Sequence, residues 1–238
     1  MESYEMTIRE NIAAIRARMD AAAIAAGRQP GEILLCAATK MNDAERVKAA
    51  VRNGIDLCGE NRVQELQQKQ PLGAYEGVPI HFIGHLQTNK VKYVVGAVDL
   101  IQSVDRIALL EAINAQALKK CIVQDILLEV NIGLEESKSG FTVAETEALA
   151  AQMGAYPGVR LCGLMAIPPV SVEKGDNLQY FTQMHKLFVD ISQKTYDNVL
   201  MVCLSMGMSD DFEDAIACGS TMIRVGTAIF GARDYTKK

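Results

Sequence analysis

Eight short apolar runs, each followed by a longer amphipathic stretch, constrain this chain more than any other feature. The runs cover residues 33–38, 55–58, 80–83, 100–104, 126–131, 161–166, 199–204 and 222–225. Short runs spaced by helix-length segments are the pattern of βαβ units, because parallel strands buried on both faces read as near-continuous apolar stretches. Eight such units in 238 residues sit near the lower end of the size range for a (β/α)8 barrel. An α/β fold of that kind, a single (β/α)8 (TIM) barrel, is expected in preference to an open doubly wound sheet. Ahead of the first run, Ile8, Ile12, Ile15 and Met19 recur at helical spacing. They predict an extra N-terminal helix that stops near Gly27 and carries one apolar stripe that must cover something.

Helix starts are marked at Asn42-Asp43-Ala44-Glu45 and Thr142-Val143-Ala144-Glu145, where a capping residue precedes a Glu by three. A third is marked at Ser209, ahead of Asp210 and Asp211, acids that suit a helix N-terminus. No linker, low-complexity tract or internal repeat divides the chain, so residues 1–238 are expected to form one domain.

Charge and composition exclude several classes of function. With 49% hydrophobic and 22% charged residues the chain is of globular type, and its formal charge of −5 offers no basic field for nucleic acid or an anionic bilayer. No unbroken apolar run approaches the roughly 18 residues of a membrane span. The acidic start, Met1-Glu2-Ser3-Tyr4-Glu5-Met6, lacks the basic and apolar regions of a signal peptide, so the expected location is the cytoplasm. The six cysteines (36, 58, 121, 162, 203 and 218) form no C-x-x-C pair and have no closely spaced His. They read as reduced thiols, with Cys36, Cys58, Cys162 and Cys203 buried in strands.

In a barrel of this kind the working face is the C-terminal end of the strands. Lys40 stands just past the first run, where partial burial would lower an amine's pKa and free it as a nucleophile toward an aldehyde. After the seventh run comes Ser205-Met206-Gly207-Met208-Ser209, and after the eighth Gly226-Thr227-Ala228. Small residues at both exits leave N–H groups and hydroxyls free to surround a dianion, and these are the usual phosphate loops of the architecture. A ligand needing both an amine and an anion cradle is a phosphorylated aldehyde, and pyridoxal 5'-phosphate (PLP) fits.

Arg224 alternates with its neighbours so as to point inward, toward a ring nitrogen. A guanidinium there cannot accept a hydrogen bond and holds that nitrogen unprotonated. Gly59-Glu60-Asn61, at the second exit, supplies an amide within reach of a ring substituent, although Glu60 equally suits a helix cap. His81 and His85 are not expected to bind a metal, since that spacing at a strand exit does not place them on one face.

Several ordered segments resemble one family. They are Gly59-Glu60-Asn61-Arg62-Val63-Gln64-Glu65, His81-Phe82-Ile83-Gly84-His85-Leu86-Gln87-Thr88-Asn89-Lys90, Ser137-Lys138-Ser139-Gly140-Phe141, Gly163-Leu164-Met165-Ala166 and Leu204-Ser205-Met206-Gly207-Met208-Ser209. With the ending Gly219-Ser220-Thr221-Met222-Ile223-Arg224-Val225-Gly226-Thr227-Ala228-Ile229-Phe230-Gly231, the chain is similar over nearly its whole length to the PLP homeostasis proteins, the YggS/PROSC family.

That resemblance implies a barrel like the N-terminal domain of alanine racemase, with PLP held as a Schiff base on Lys40 and Arg224 beside the pyridine nitrogen. It further implies phosphate binding by Ser205, Gly226 and Thr227, and a ring pocket lined by Asn61 and Met165. Lys40 is followed by Met41-Asn42, where many members carry Thr-Lys-Pro or similar. The implied role is to bind, buffer and hand over PLP as a monomer, without established turnover and with PLP-dependent apoenzymes as recipients.

Two other functions stay open on the residues. One is a weak amino-acid racemase, although the second proton carrier, which alanine racemases take from a C-terminal β-domain, finds no room after Lys238. The other is a cofactor-free aldolase using the same lysine and cradle. Lys138 reads as a surface residue or a transient PLP contact.

Overall fold

The computed structural model describes residues 3–135, 138–170, 173 and 175–231, so Ser137 of the Ser137-Lys138-Ser139-Gly140-Phe141 motif lies outside the described residues. The apolar stripe of the N-terminal segment builds α1 (Ser3–Ala25), which ends ahead of Gly27 at φ 72°. The first half of the barrel then runs β1 (Leu34–Ala38), α2 (Ala44–Arg52), β2 (Leu57–Glu60), α3 (Val63–Lys69), β3 (Ile80–Phe82), α4 (Val91–Val94), β4 (Leu100–Val104) and α5 (Ile107–Lys119). The second half runs β5 (Gln124–Val130), α6 (Val143–Ala150), β6 (Val159–Ala166), α7 (Leu178–Ser192), β7 (Val199–Ser205), α8 (Phe212–Ala217), β8 (Met222–Val225) and α9 (Thr227–Phe230).

The eight strands pair in chain order, all parallel, and β8 closes on β1 with Cys36 opposite Arg224 and Ala37 opposite Val225. Each expected run overlaps one strand, with some ends displaced by one or two residues.

Closure is what α1 covers. Its buried residues Ile8, Ile12, Ile15, Met19 and Ala23 face α2, α8 and α9, the helices flanking the β1–β8 seam. Asn11 donates to Ile229 O at 2.9 Å, Arg16 reaches Gly54 O and Asp56, and Arg28 donates to Ser220 O at 2.7 Å. Burying four such side chains contributes on the order of 6–12 kcal/mol as an upper bound, so α1 holds the first and last βα units together.

Two helix starts differ from expectation. The capping box at Thr142 is formed with Glu145 on both sides, but α2 is capped by Asp43, whose carboxylate accepts from Arg46 N. Asn42 instead accepts from the Arg46 side chain and donates to Lys40 O. At α8 the preceding residue is Asp211, not Ser209, and the Asp211 carboxylate turns back to accept from Met208 N at 2.7 Å and Asn177 Nδ2 at 2.8 Å. In both places a one-carboxylate reach decided the boundary, and that is a geometric matter.

Inside the barrel, Cys36, Leu57, Leu100, Leu127, Cys162, Met165, Cys203 and Met222 pack together. Cys162 and Met165 both belong to this cluster although three residues apart, because β6 slips register at Gly163 relative to β5 and β7. Gly163 has φ 149°, and a Cβ there would lie 1.7 Å from Cys203 O. A side chain is impossible without moving the β7 backbone. Gly163→Ala should cost about 3 kcal/mol or more, a fall of roughly 6–12 °C in Tm for a chain of this size. A calorimetric Tm within about 2 °C of the parent, a shift that corresponds to less than about 1 kcal/mol, would contradict this account of the bulge.

Candidate functional site

The mouth of the barrel brings the ends of β1 and β8 side by side. Gly226 lies so close to Ala38 that a Cβ on it would meet Ala38 Cβ and O at 3.3 Å. Two residues past Ala38 stands Lys40, half-buried, in a tight turn closed by Asn42 N donating to Thr39 O at 3.2 Å. Across the seam, Gly226 opens the single turn of α9, and Thr227 is exposed. The first N–H groups of such a turn have no intrahelical acceptor, so Thr227 and Ala228 present donors at the mouth. The Lys40 turn and the Gly226-Thr227 turn are therefore neighbours on adjacent strands.

Beneath them a polar chain crosses the barrel interior. Arg224, 5% exposed, donates from Nη1 to Ser205 Oγ at 2.6 Å and from Nη2 to Ala166 O at 2.9 Å. Guanidinium can only donate, so the Ser205 hydroxyl accepts from Arg224 and gives its own hydrogen to Gln102 Oε1 at 2.6 Å. The Gln102 amide nitrogen then faces His81 Nδ1 at 2.9 Å and Met222 Sδ at 3.2 Å. His81 must accept there, which assigns its proton to Nε2. Burial pushes the imidazole down to about 4 against the opposing charge of Asp99, so it is neutral at pH 7. Burial also lowers the Arg224 pKa, with the fields of Glu129 and Asp211 among those opposing it.

A pocket of about 280 Å3 opens over the β2, β3, β5 and β6 exits, with Asn61, His85, Glu129, Lys138 and Ser139 among its walls. Asn61 Oδ1 is buried and without a hydrogen-bond partner, an orphaned acceptor of the kind a ligand donor satisfies. Glu129 sits on the inner face of β5 opposite Met165. Its carboxyl is pushed up to about 7, chiefly by burial and further by Asp105, with Arg224 opposing. Lys138, partly exposed on the pocket wall, donates to Pro168 O at 2.9 Å and pairs with Glu135.

Of the residues singled out from sequence, Lys40, Gly226 and Thr227 stand at the β1–β8 mouth, Asn61 lines the pocket, and Met165 and Arg224 are buried in the barrel interior. Ser205 is the last residue of β7. It is 0% exposed, with its hydroxyl spent on Arg224 and Gln102. The β7 exit beside β8 is Gly207, whose carbonyl accepts from Arg224 N at 3.0 Å. His81 and His85 face apart, the first buried on Gln102 and the second exposed against Asp105 at 3.1 Å.

Glu60 is not a helix cap but a buried anchor, described below. Glu129 and Gln102 were not singled out from sequence. Their signal is a polar residue inside an apolar strand, which costs free energy unless it has a role. The interior thiols Cys36, Cys162 and Cys203 are pushed up to about 12, 11 and 12, in each case mainly by burial. They stay protonated and unreactive.

The Glu129 shift makes stability depend on pH. Its carboxyl binds a proton more tightly folded than unfolded, so the stabilisation is fully present below the unfolded pKa and is lost as pH rises through about 7. Glu129→Gln cannot ionise and escapes that loss. The Tm of the variant relative to the parent should therefore be higher at about pH 8 than at about pH 5, and an equal offset at both pH values would count against the assignment.

Comparison with known proteins agrees with this fold. The family model for the alanine racemase N-terminal domain matches residues 6–234. The pyridoxal phosphate homeostasis protein of Escherichia coli (strain K12) is 41% identical over 235 residues, covering 97% of this chain and 99% of the relative. Among solved structures, a protein of unknown function from Bifidobacterium adolescentis superposes with a TM-score of 0.91 at 37% identity, covering 97% of each chain. PipY of Synechococcus elongatus PCC7942, solved with PLP bound, superposes with a TM-score of 0.80 at 30% identity, covering 94% of this chain and 100% of PipY. The chain belongs to the alanine racemase N-terminal domain family, and within it to the pyridoxal phosphate homeostasis proteins.

Proposed function

We propose that this protein binds PLP covalently through Lys40 and serves as a carrier and buffer of the cofactor, not as an enzyme with turnover. The observation that carries the reading is the adjacency of a half-buried lysine turn on β1 and a glycine–threonine turn on β8. When bound, PLP supplies an aldehyde that an amine captures as a Schiff base and a phosphate dianion that backbone donors grip. The residues present fit it. Gly226 leaves a cradle that a side chain would fill, the orphaned Asn61 oxygen awaits a donor, and Arg224 brings a fixed positive charge to the barrel floor.

In this reading Lys40 is the covalent anchor. Gly226 and Thr227 hold phosphate, while Ser205 acts on the site through Arg224. Asn61 and Met165 border the ring. Arg224, held by Ser205 and Ala166, faces the ring nitrogen and withholds a proton from it, which makes the ring a poor electron sink and suits storage over carbanion chemistry. The protein works as one barrel domain, a monomer in the cytoplasm, and its cofactor passes to PLP-dependent apoenzymes. Among the described residues no helix is long and apolar enough to cross a membrane. Relatives bearing the PLP homeostasis name, and PipY with PLP bound, support the same reading.

Added PLP should give the protein an imine absorption band that borohydride abolishes, with a phosphopyridoxyl adduct on the peptide containing Lys40 by mass spectrometry. Lys40→Ala should form neither. An adduct on another lysine, or none, would overturn the reading, and a colourless protein that splits sugar phosphates would favour the aldolase. Pyridoxal, which lacks the phosphate, should bind at least about tenfold more weakly than PLP if even one charge-assisted hydrogen bond is lost. Equal Kd values in a titration would remove the cradle. Solvent exchange of the α-hydrogen of an L-amino acid, dependent on Lys40, would instead support the racemase.

A further inference from the structure

Lys40 sits between two residues that a buried charge network holds. Glu60, 0% exposed, uses Oε1 to accept from Thr39 Oγ1 at 2.7 Å, Lys69 Nζ at 2.6 Å and Tyr75 OH at 2.9 Å. Lys69, its side chain 8% exposed, also donates to Thr39 O at 2.8 Å and to Glu65 Oε2 at 2.8 Å. The same Glu65 oxygen accepts from Met41 N at 2.7 Å. Both neighbours of Lys40 are therefore gripped from α3 and β2: Thr39 by its hydroxyl and carbonyl, and Met41 by its N–H.

Met41 needs that grip. Its φ of 61° is left-handed, a conformation that disfavours a side-chain-bearing residue, and an extended Met41 would swing Lys40 off its turn. Burying an ammonium with carboxylates is a poor route to stability in itself, since desolvation offsets much of the attraction. A network of this kind earns its place by holding one geometry.

We propose that Glu65 and Lys69 are positioning residues, which with Glu60 lock the Thr39–Asn42 turn so that the Lys40 amine is presented ready for the aldehyde. The role for Lys40 rests on the functional reading above, whereas the lock itself does not.

The deciding variant is Glu65→Ala. It removes the Met41 acceptor yet leaves Lys69 paired with Glu60, so the barrel should fold. In the protein without added PLP, amide hydrogen exchange at Met41 should become about tenfold faster, and on adding PLP the imine band should grow about tenfold more slowly. Glu65→Gln, whose carbonyl oxygen accepts from Met41, should restore both. The double variant Glu60→Gln, Lys69→Met removes the buried charges together and should slow the band as Glu65→Ala does. Unchanged exchange at Met41 in Glu65→Ala overturns the lock, and faster exchange with an unchanged band rate overturns the positioning role. If the unaltered protein forms no adduct at Lys40, the functional reading falls, while the exchange result still decides the lock.

Discussion

A guanidinium enclosed in a parallel barrel is the constraint around which this molecule is arranged. Among the described residues no carboxylate forms an ion pair with Arg224, and burying a charge costs several kcal/mol unless its donors are matched. The interior answers with neutral acceptors: the Ser205 hydroxyl, the Ala166 carbonyl and, one step further, the Gln102 amide and the neutral His81 ring. Each group's direction of donation follows from the one above it. The guanidinium is thus matched by neutral acceptors at contact, with Glu129 and Asp211 acting on it only through their fields.

Closure of the sheet is what converts that interior into a site. Pairing β8 with β1 sets Arg224 against Cys36 and Gly226 against Ala38, which carries the Lys40 turn to the edge of the Gly226-Thr227 turn. The helix α1 fastens this seam from outside by packing on α2, α8 and α9, while the Glu60–Lys69–Glu65 network fastens the turn from inside. Two remote elements thus define one geometry at the mouth. The slip at Gly163 serves the same end on the opposite wall, since it turns Met165 into the barrel beside Ser205 and Glu129.

Much of this was legible in the residue pattern, for definite reasons. A strand in a parallel barrel is buried on both faces, so each of the eight strands left a recognisable apolar run, and the α1 stripe left a helical one. Lys40 and the Gly226-Thr227 turn could be placed at the β1 and β8 exits because the apolar runs before them end there. Glu60 and Ser205 were visible at their strand ends, but not the partners they meet, Lys69 and Thr39 for the first and Arg224 and Gln102 for the second. A carboxylate or hydroxyl in sequence does not reveal which of several partners it will meet. Glu129, Gln102 and Lys69 passed unnoticed, because their partners lie on other strands and helices far away in the chain.

What the amino-acid order determined by itself was periodicity, and with it the number of units, the barrel and the approximate strand ends, since these depend on contacts that repeat locally. Tertiary structure alone decided the phase of β6 past Gly163, the burial of Ser205 beneath Arg224, the proton position on His81 and the grip on Met41. Each of those is a choice between alternatives of equal local merit. It is settled only when a closed barrel brings distant donors and acceptors within hydrogen-bonding range and excludes the water that would otherwise have satisfied them.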